Sequence, residues 1–340
     1  MRSNLTVAVV GATGAVGTEF LRLFESRDFP VGELRLLASS RSVGKHQIFK
    51  GREHCIEEAT PESFHGVDVA FFSAGASRSR ALAPAAIQAG ALVVDNSSAF
   101  RMDPNVPLVV PEINIESVRP DHRLIAVPNC SAIILLMAVH PLRRLGQIER
   151  LIVSTYQSAS GGGAAVMREL QEQTREVLAG MEAVPKILPH PYAFNLFSHN
   201  TPVDASGYNE EERKVIEESR KILGMPELKV NVTCVRVPVL RAHSESVTVE
   251  FADSAPSESD VRHALEFSPG VRVVDDRDRN HFPMPLEAGG QGDVLVGRIR
   301  QDLSNSNAIC MFIAGDQLLK GAALNAVQIA EQVMASTYRA

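Results

Sequence analysis

The run Leu5–Val10 passes directly into Gly11-Ala12-Thr13-Gly14-Ala15-Val16-Gly17 and then into the helical pattern Phe20, Leu21, Leu23, Phe24. Strand, glycine-rich turn and helix in that order restrict a chain to few folds, because backbone N–H groups at the turn and the helix N-terminus can then cradle a pyrophosphate. The spacing is G-x-x-G-x-x-G, a variant of the usual dinucleotide fingerprint. A tight turn with close packing would use the same glycines, and the flanking strand and helix favour the nucleotide.

The alternation continues downstream. Glu33–Ala38 reads as a second strand, Val67–Ser73 and Ala91–Val94 as two more, with Arg78–Ala89 a helix between them. Strands interleaved with helices predict a parallel, doubly wound Rossmann-type sheet. After the second strand comes Ser39-Ser40-Arg41-Ser42, where an NAD enzyme usually carries an acidic residue. Arginine with serines suits a 2′-phosphate, so NADP is the expected cofactor, a polar surface loop being the alternative. Asp95-Asn96-Ser97-Ser98-Ala99-Phe100-Arg101 lies just past a strand end, where such sheets bind ligands. By position alone Arg101 is a surface arginine in a loop.

The next constraint is Val127-Pro128-Asn129-Cys130-Ser131, a corner between a strand ending at Val127 and an apolar run Ala132–Val139 that continues to Gly146 as a helix. A thiol at a helix start ionises more readily than its free pKa of about 8.5 allows. Cys130 is therefore a candidate nucleophile, although a cysteine beside an apolar run is commonly an inert small hydrophobe.

Leu151–Tyr156 is a further strand, running into Gln157-Ser158-Ala159-Ser160-Gly161-Gly162-Gly163 before the helix Ala164–Leu178. This second glycine turn either admits a ligand to the backbone or acts as a hinge. Pro185–Pro202 reads as an ordered irregular segment, and Asn209–Leu223 as an amphipathic helix whose Glu210-Glu211-Glu212-Arg213-Lys214 is by default a solvated face pairing Glu211 with Lys214. Along Lys229–Leu240 both faces are largely apolar, so Arg236 belongs to a buried strand. A buried guanidinium needs an anion, either a bound carboxylate or a structural ion pair. His243 lies seven residues on and can pass a proton near neutral pH. Glu245–Phe251, Gly270–Asp275, Gly292–Asp302 and Ala308–Ala314 supply strands without interleaved helices, predicting a mixed or antiparallel second sheet, and Leu318–Met334 a last helix.

A chain of 340 residues exceeds one core of about 250–300 and should form two domains. The net charge of −6, with no basic stripe, argues against nucleic acid as the main partner. The four cysteines contain no C-x-x-C pair, so neither zinc nor a redox disulfide is expected, and reduced thiols fit the cytoplasm. No secretory leader and no run of about 20 apolar residues is present, so no membrane partner is expected.

Together these segments resemble the aspartate-β-semialdehyde dehydrogenase family over essentially the whole chain. The matching stretches are the Gly11–Gly17 turn, Asp95–Arg101, Pro128–Ser131, Gln157 with Ser160-Gly161, Asn231–Pro238 through His243-Ser244, and Lys320-Gly321-Ala322-Ala323-Leu324-Asn325-Ala326-Val327-Gln328-Ile329-Ala330. The resemblance implies an NADP-binding Rossmann domain at 1–129, an α+β catalytic and dimerisation domain of the glyceraldehyde-3-phosphate-dehydrogenase type at 130–316, and a C-terminal helix at 317–340 returning to the nucleotide domain. It implies NADPH-dependent reductive dephosphorylation of L-aspartyl-4-phosphate to L-aspartate 4-semialdehyde, on the branch to lysine, methionine and threonine, by a homodimer or homotetramer. Cys130 would be the nucleophile, His243 the acid/base and Gln157 the orienting amide. Arg236 would hold the substrate α-carboxylate, Glu211 its α-ammonium, and Arg101 with Lys214 the phosphate. Gly11, Thr13, Gly14, Ala15, Val16, Arg41, Ser42, Ser160, Gly161 and Gln317 would hold the cofactor.

Two positions depart from the family pattern: Ala242 stands where glycine is usual, and Gln317 where asparagine is common near the nicotinamide. N-acetyl-γ-glutamyl-phosphate reductase shares the same logic of cysteine, histidine and acyl phosphate, but an acetylated amine would not need Glu211. A short-chain dehydrogenase is disfavoured because none of Tyr156, Tyr192, Tyr208 and Tyr338 has a lysine four residues on. A catalytically silent NADP-binding relative is disfavoured by the presence together of Cys130, Gln157, Arg236 and His243.

Overall fold

The computed structural model describes residues 4–337, so Tyr338 and the end of the expected C-terminal segment lie outside the described residues. The chain forms two compact units, residues 1–129 with 322–340, and residues 130–321.

The first unit comprises β1 (Leu5–Val10), α1 (Ala15–Ser26), β2 (Val31–Ala38), β3 (His46–Phe49), β4 (Arg52–Glu58), β5 (Val69–Phe72), α2 (Ala76–Gln88), β6 (Leu92–Asp95), α3 (Pro111–Asn114) and β7 (Leu124–Ala126). Its seven strands lie in the order β3-β4-β2-β1-β5-β6-β7. The parallel sheet read from the alternation is present, with one difference. β3 runs antiparallel to β4 at the edge. That hairpin turns on Lys50 and Gly51, both at positive φ (48° and 72°), the conformation a two-residue hairpin turn requires. β3 is only four residues long and β4 carries four charged side chains, so no apolar period announces them.

Phe20 and Phe24 of α1 pack on Phe71 of β5 with ring centroids 4.9 and 5.3 Å apart, and Phe29 stacks on Phe24 at 5.1 Å. Each such fully buried side chain contributes about 1.5–3 kcal/mol, which presses the helix onto the sheet behind the glycine turn.

The second unit comprises α4 (Cys130–Val139), β8 (Ile148–Gln157), α5 (Ala164–Leu178), β9 (Phe197–Ser198), α6 (Glu210–Leu223), β10 (Lys229–Arg236), β11 (His243–Phe251), α7 (Glu258–Glu266), β12 (Val271–Val273), α8 (Pro285–Ala288), β13 (Val294–Gln301) and β14 (Ala308–Gly315). The strand order is β12-β13-β14-β11-β8-β10-β9. The sheet is mixed: β10 is parallel to β8, whereas β11 is antiparallel to both β8 and β14. All residues of α4 after Cys130 are buried, so this is a core helix rather than an amphipathic one. It stops at Val139 and tightens into a 3₁₀ turn over His140–Arg144, because Pro141 cannot donate to the helical ladder.

The chain then returns to the first unit. A π turn over Leu319–Ala323 precedes α9 (Leu324–Thr337), where a continuous helix from Leu318 is read from the sequence. Within the first unit Arg27 grips Glu331 through two bonds of 2.9 and 2.6 Å, and Asn325 donates to the carbonyl of Val109 at 2.9 Å. Among the described residues no helix is long and apolar enough to cross a membrane.

One buried group stands out in the second unit. Glu245 of β11 is fully buried, and neither carboxylate oxygen has a hydrogen-bond partner among the described residues. Burial alone pushes its carboxyl well above the usual range. The folded protein then binds a proton that the unfolded chain releases above about pH 4.3, so stability falls as pH rises through that window. Glu245→Met should remove this dependence. Urea unfolding at pH 5 and pH 8 should show the variant's advantage widening with pH, at up to about 1.4 kcal/mol per pH unit. An advantage that does not change with pH would show that the side chain does not carry the proton.

Candidate active site

Three neighbouring strands of the second unit bring their candidate site residues to the same end of the sheet. Arg236, the last residue of β10, is in register with Gln157, the last residue of β8, and His243 opens the adjacent, antiparallel β11. Neighbouring strands in a ladder lie about 4.8 Å apart, so residues distant in sequence are brought side by side.

Cys130 begins α4, as its position at the corner predicts. Ser131 beside it accepts a hydrogen bond of 2.7 Å from Gln157 Nε2, which also donates to Glu211 Oε1 at 3.2 Å. Glu211 in turn is 3.5 Å from Lys214 Nζ, which holds Glu210 at 2.9 Å. A polar chain thus runs from the residue after Cys130 to α6.

The acidic run of α6 is not the solvated face that its composition suggests. Successive helical residues are turned by about 100°, so three carboxylates in a row meet three environments. Glu210 is exposed; Glu211 faces Gln157; Glu212 completes a capping box with Asn209 and accepts the N–H of Cys234 at 3.0 Å.

Arg236 is 6 % exposed and makes no ion pair with any described carboxylate. Its Nη1 donates to the carbonyl of Ser158 at 3.3 Å, and its Nε has no partner among the described residues. Gln157 Oε1 is likewise buried without a donor. The structural ion pair that could have satisfied Arg236 is absent among the described residues, leaving the other reading: a buried cation set to receive an anion.

His243 is buried, and its Nδ1 accepts the backbone N–H of Ser158 at 3.0 Å with the Ser158 hydroxyl 3.1 Å away. An acceptor at Nδ1 leaves the ring proton on Nε2. Burial first, and the charge of Arg236 second, push its pKa down to about 3. His243 is therefore neutral at physiological pH. His199 is lowered to about 4 by the same two causes.

Two glycines stand directly against these residues. A Cβ on Gly161 would lie 2.9 Å from Cε1 and 3.0 Å from Nε2 of His243, and 3.3 Å from Nη1 of Arg236. A Cβ on Gly321 would lie 2.9 Å from that of Cys130. Neither position tolerates a side chain without moving the residue it touches.

In the first unit, Gly11 has φ of 92°, and a Cβ there would meet the carbonyl oxygen of Ser73 at 2.4 Å. A Cβ on Gly17 would meet that of Gly11 at 2.3 Å. Both glycines serve close packing. Gly14 differs: it caps α1 with no side-chain hydrogen bond, and Thr13 beside it is exposed, so the N–H groups at the helix start are not covered by a cap. Arg41, exposed in the 3₁₀ turn Ser40–Ser42 after β2, has no ion pair among the described residues. Arg101 is 8 % exposed and is no surface arginine: it donates to the carbonyls of Val127 and Asn96, each at 2.8 Å.

The chain as a whole is similar to known proteins. A semialdehyde dehydrogenase NAD-binding domain model matches residues 6–120, and a semialdehyde dehydrogenase dimerisation domain model matches residues 139–320. An aspartate-semialdehyde dehydrogenase of Synechocystis sp. is 53% identical over 97% of this chain and 98% of its own length; one of Bacillus subtilis is 46% identical over 98% of each. The chain belongs to the aspartate-semialdehyde dehydrogenase family. The crystal structure of aspartate semialdehyde dehydrogenase II from Vibrio cholerae, 42% identical, superposes with a TM-score of 0.93 over 97% of this chain and 98% of that one.

Within this aspartate-semialdehyde dehydrogenase framework the two departures in sequence become one local structure. Ala242 has φ of 72°, the left-handed region that glycine enters freely and alanine rarely does. Its N–H donates to Gln317 Oε1 at 3.0 Å. Sequence reasoning does not single out Ser158, Asp316 or Glu245, nor a site role for Ser131 or Gly321. Ser131 and Gly321 lie in matched motifs, a signal that could flag them. The other three are legible only from the strands and turns that meet around His243.

Proposed function

We propose that the protein catalyses NADPH-dependent reductive dephosphorylation of L-aspartyl-4-phosphate to L-aspartate 4-semialdehyde in amino-acid biosynthesis. The observation that carries this reading is Arg236, a buried guanidinium in register with Gln157, where neither Arg236 Nε nor Gln157 Oε1 has a partner among the described residues. A substrate α-carboxylate satisfies the first, and an amine or a protonated group the second.

Cys130 Sγ attacks the acyl carbon; the C–S bond forms as the C–O bond to phosphate breaks. The resulting thioester is held by Arg236 at its carboxylate and by Glu211 at its ammonium, with Arg101 and Lys214 assigned to the departing phosphate. NADPH, when bound, supplies the hydride that reduces the thioester. His243 presents Nε2–H, which suits it to donate to the substrate oxygen as negative charge develops there. Collapse of the thiohemiacetal breaks the C–S bond and returns the Cys130 sulfur.

The cofactor assignment rests on Gly11, Thr13, Gly14, Ala15 and Val16, which would hold the pyrophosphate at the helix N-terminus of α1. Arg41 and Ser42 would take the 2′-phosphate, which favours NADP over NAD. Ser160 and Gly161 would line its nicotinamide end. A homodimer or homotetramer in the cytoplasm fits the matched dimerisation model and the thiols of all four cysteines.

The test runs the reaction backwards: phosphate-dependent reduction of NADP⁺ or NAD⁺ with L-aspartate semialdehyde, beside N-acetyl-glutamate semialdehyde. Activity with the first aldehyde, lost without phosphate and stronger with NADP⁺, supports the proposal; activity with the second alone overturns it. In the same assay Arg236→Lys should raise KM for the aldehyde by about 10–100-fold with a smaller change in kcat, because a point charge cannot reproduce a guanidinium fork. An unchanged KM would remove Arg236 from substrate binding.

A further inference from the structure

Gln317 stands at the centre of a small polar construction around His243. Its side chain is 2 % exposed and both ends of its amide are engaged. Oε1 accepts the N–H of Ala242, the residue immediately before His243. Nε2 donates to Ser160 Oγ, which lies 3.1 Å from Ser158 Oγ, itself 3.1 Å from His243 Nδ1. One amide therefore reaches the imidazole by two routes, through the backbone on one side and through a pair of serines on the other.

The backbone route carries strain. Ala242 holds φ of 72° with its methyl fully buried in a cluster with Ala288, Leu295 and Ala314. An L-residue leaves the left-handed region unless its surroundings hold it there. The neighbouring residue is anchored as well, since Arg241 Nε donates to Asp316 Oδ2 at 2.6 Å. Asp316 is fixed in turn by the N–H groups of Gly290 and Leu318 at 2.6 and 2.9 Å. Asp316 and Gln317, consecutive residues after β14, thus clamp Arg241 and Ala242, consecutive residues before β11.

We propose that Gln317 is a positioning residue for His243: it holds Ala242 in its left-handed conformation and keeps the Ser160–Ser158 pair aligned on Nδ1, which fixes the imidazole's place and tautomer. This rests on the reading of His243 as a catalytic group. It gives Gln317 a role in the protein's own scaffold.

The test is a double-mutant cycle read by steady-state kinetics with L-aspartate semialdehyde, phosphate and NADP⁺. Q317M should lower kcat about 30-fold while KM for aldehyde, phosphate and NADP⁺ stays within about two-fold, the split expected when only transition-state geometry is lost. In the A242G background the same Q317M change should cost about five-fold less, because glycine enters the left-handed region without being held. S160A should lower kcat with no such recovery from A242G, since it leaves the backbone bond in place. Equal losses from Q317M in both backgrounds overturn the proposal. So does a rise in KM for NADP⁺ at unchanged kcat, which would make Gln317 a cofactor contact. If Q317M does not fold, Q317N, one methylene too short to reach both partners, carries the same cycle. Failure of the underlying function looks different: the unsubstituted protein would then be inactive with this aldehyde.

Discussion

Cys130→Ala is expected to lower turnover at least about 10⁴-fold while leaving the fold and nucleotide binding unchanged. The structure explains why alanine is the informative choice. Gly321 packs directly over the Cys130 Cβ, at the distance a glycine alone permits, and alanine retains that carbon. Ser131 keeps its bond from Gln157, so the polar chain to Glu211 survives the substitution. Only the sulfur is lost. The decisive measurement is the phosphate-dependent assay run beside an NADP⁺ titration and a thermal melt. Residual turnover above about 1% in a protein that melts normally would sink the nucleophile assignment, because without the attacking sulfur no thioester forms to be reduced.

The second large effect concerns what His243 does. The Ser158 N–H occupies Nδ1, burial and Arg236 push the pKa to about 3, and the ring therefore presents a proton on Nε2 rather than a vacant lone pair. A neutral imidazole of this tautomer donates. His243→Gln, whose terminal amide can also donate from about the position of Nε2, should retain measurably more activity than His243→Ala. We expect losses of about 30-fold and about 10³-fold respectively, in line with removal of one donor to a developing oxyanion. If glutamine and alanine are equally damaging, a donor is not what the reaction needs, and general-base action through a different tautomer would replace it. The pH profile gives a second reading: with the imidazole neutral down to about pH 3, the acid limb of kcat/KM should not carry a group near 6.5 from this histidine.

Much of the site is legible in the amino-acid sequence, for local reasons. The glycine turn between β1 and α1 announces itself because tight packing and a bare helix N-terminus both demand glycine within a few residues. The corner at Cys130 is legible because proline ends a strand and an apolar run must start a buried helix. Arg236 stands out because a charge in an apolar strand is rare. By contrast, Glu210, Glu211 and Glu212 look alike in sequence, and only their rotation around α6 assigns one to solvent, one to the site and one to the cap. The β3–β4 hairpin escapes a reading by periodicity because edge strands need no continuous apolar face. The π turn at Leu319–Ala323 interrupts a pattern that otherwise reads as one helix.

The sequence by itself determined the two-unit α/β plan, the cysteine nucleophile candidate and the family, since strand and helix periodicity, glycine spacing and short motifs are all local properties of the chain. Tertiary structure alone decided which groups meet at the candidate site. Register across β10, β8 and β11 brings Arg236, Gln157 and His243 to the same end of the sheet; a backbone N–H from Ser158 chooses the histidine tautomer; and Ala242 meets Gln317 across 75 residues of chain. Hydrogen bonds and desolvation act over a few ångströms, and distance along the chain carries no information about which groups will stand that close.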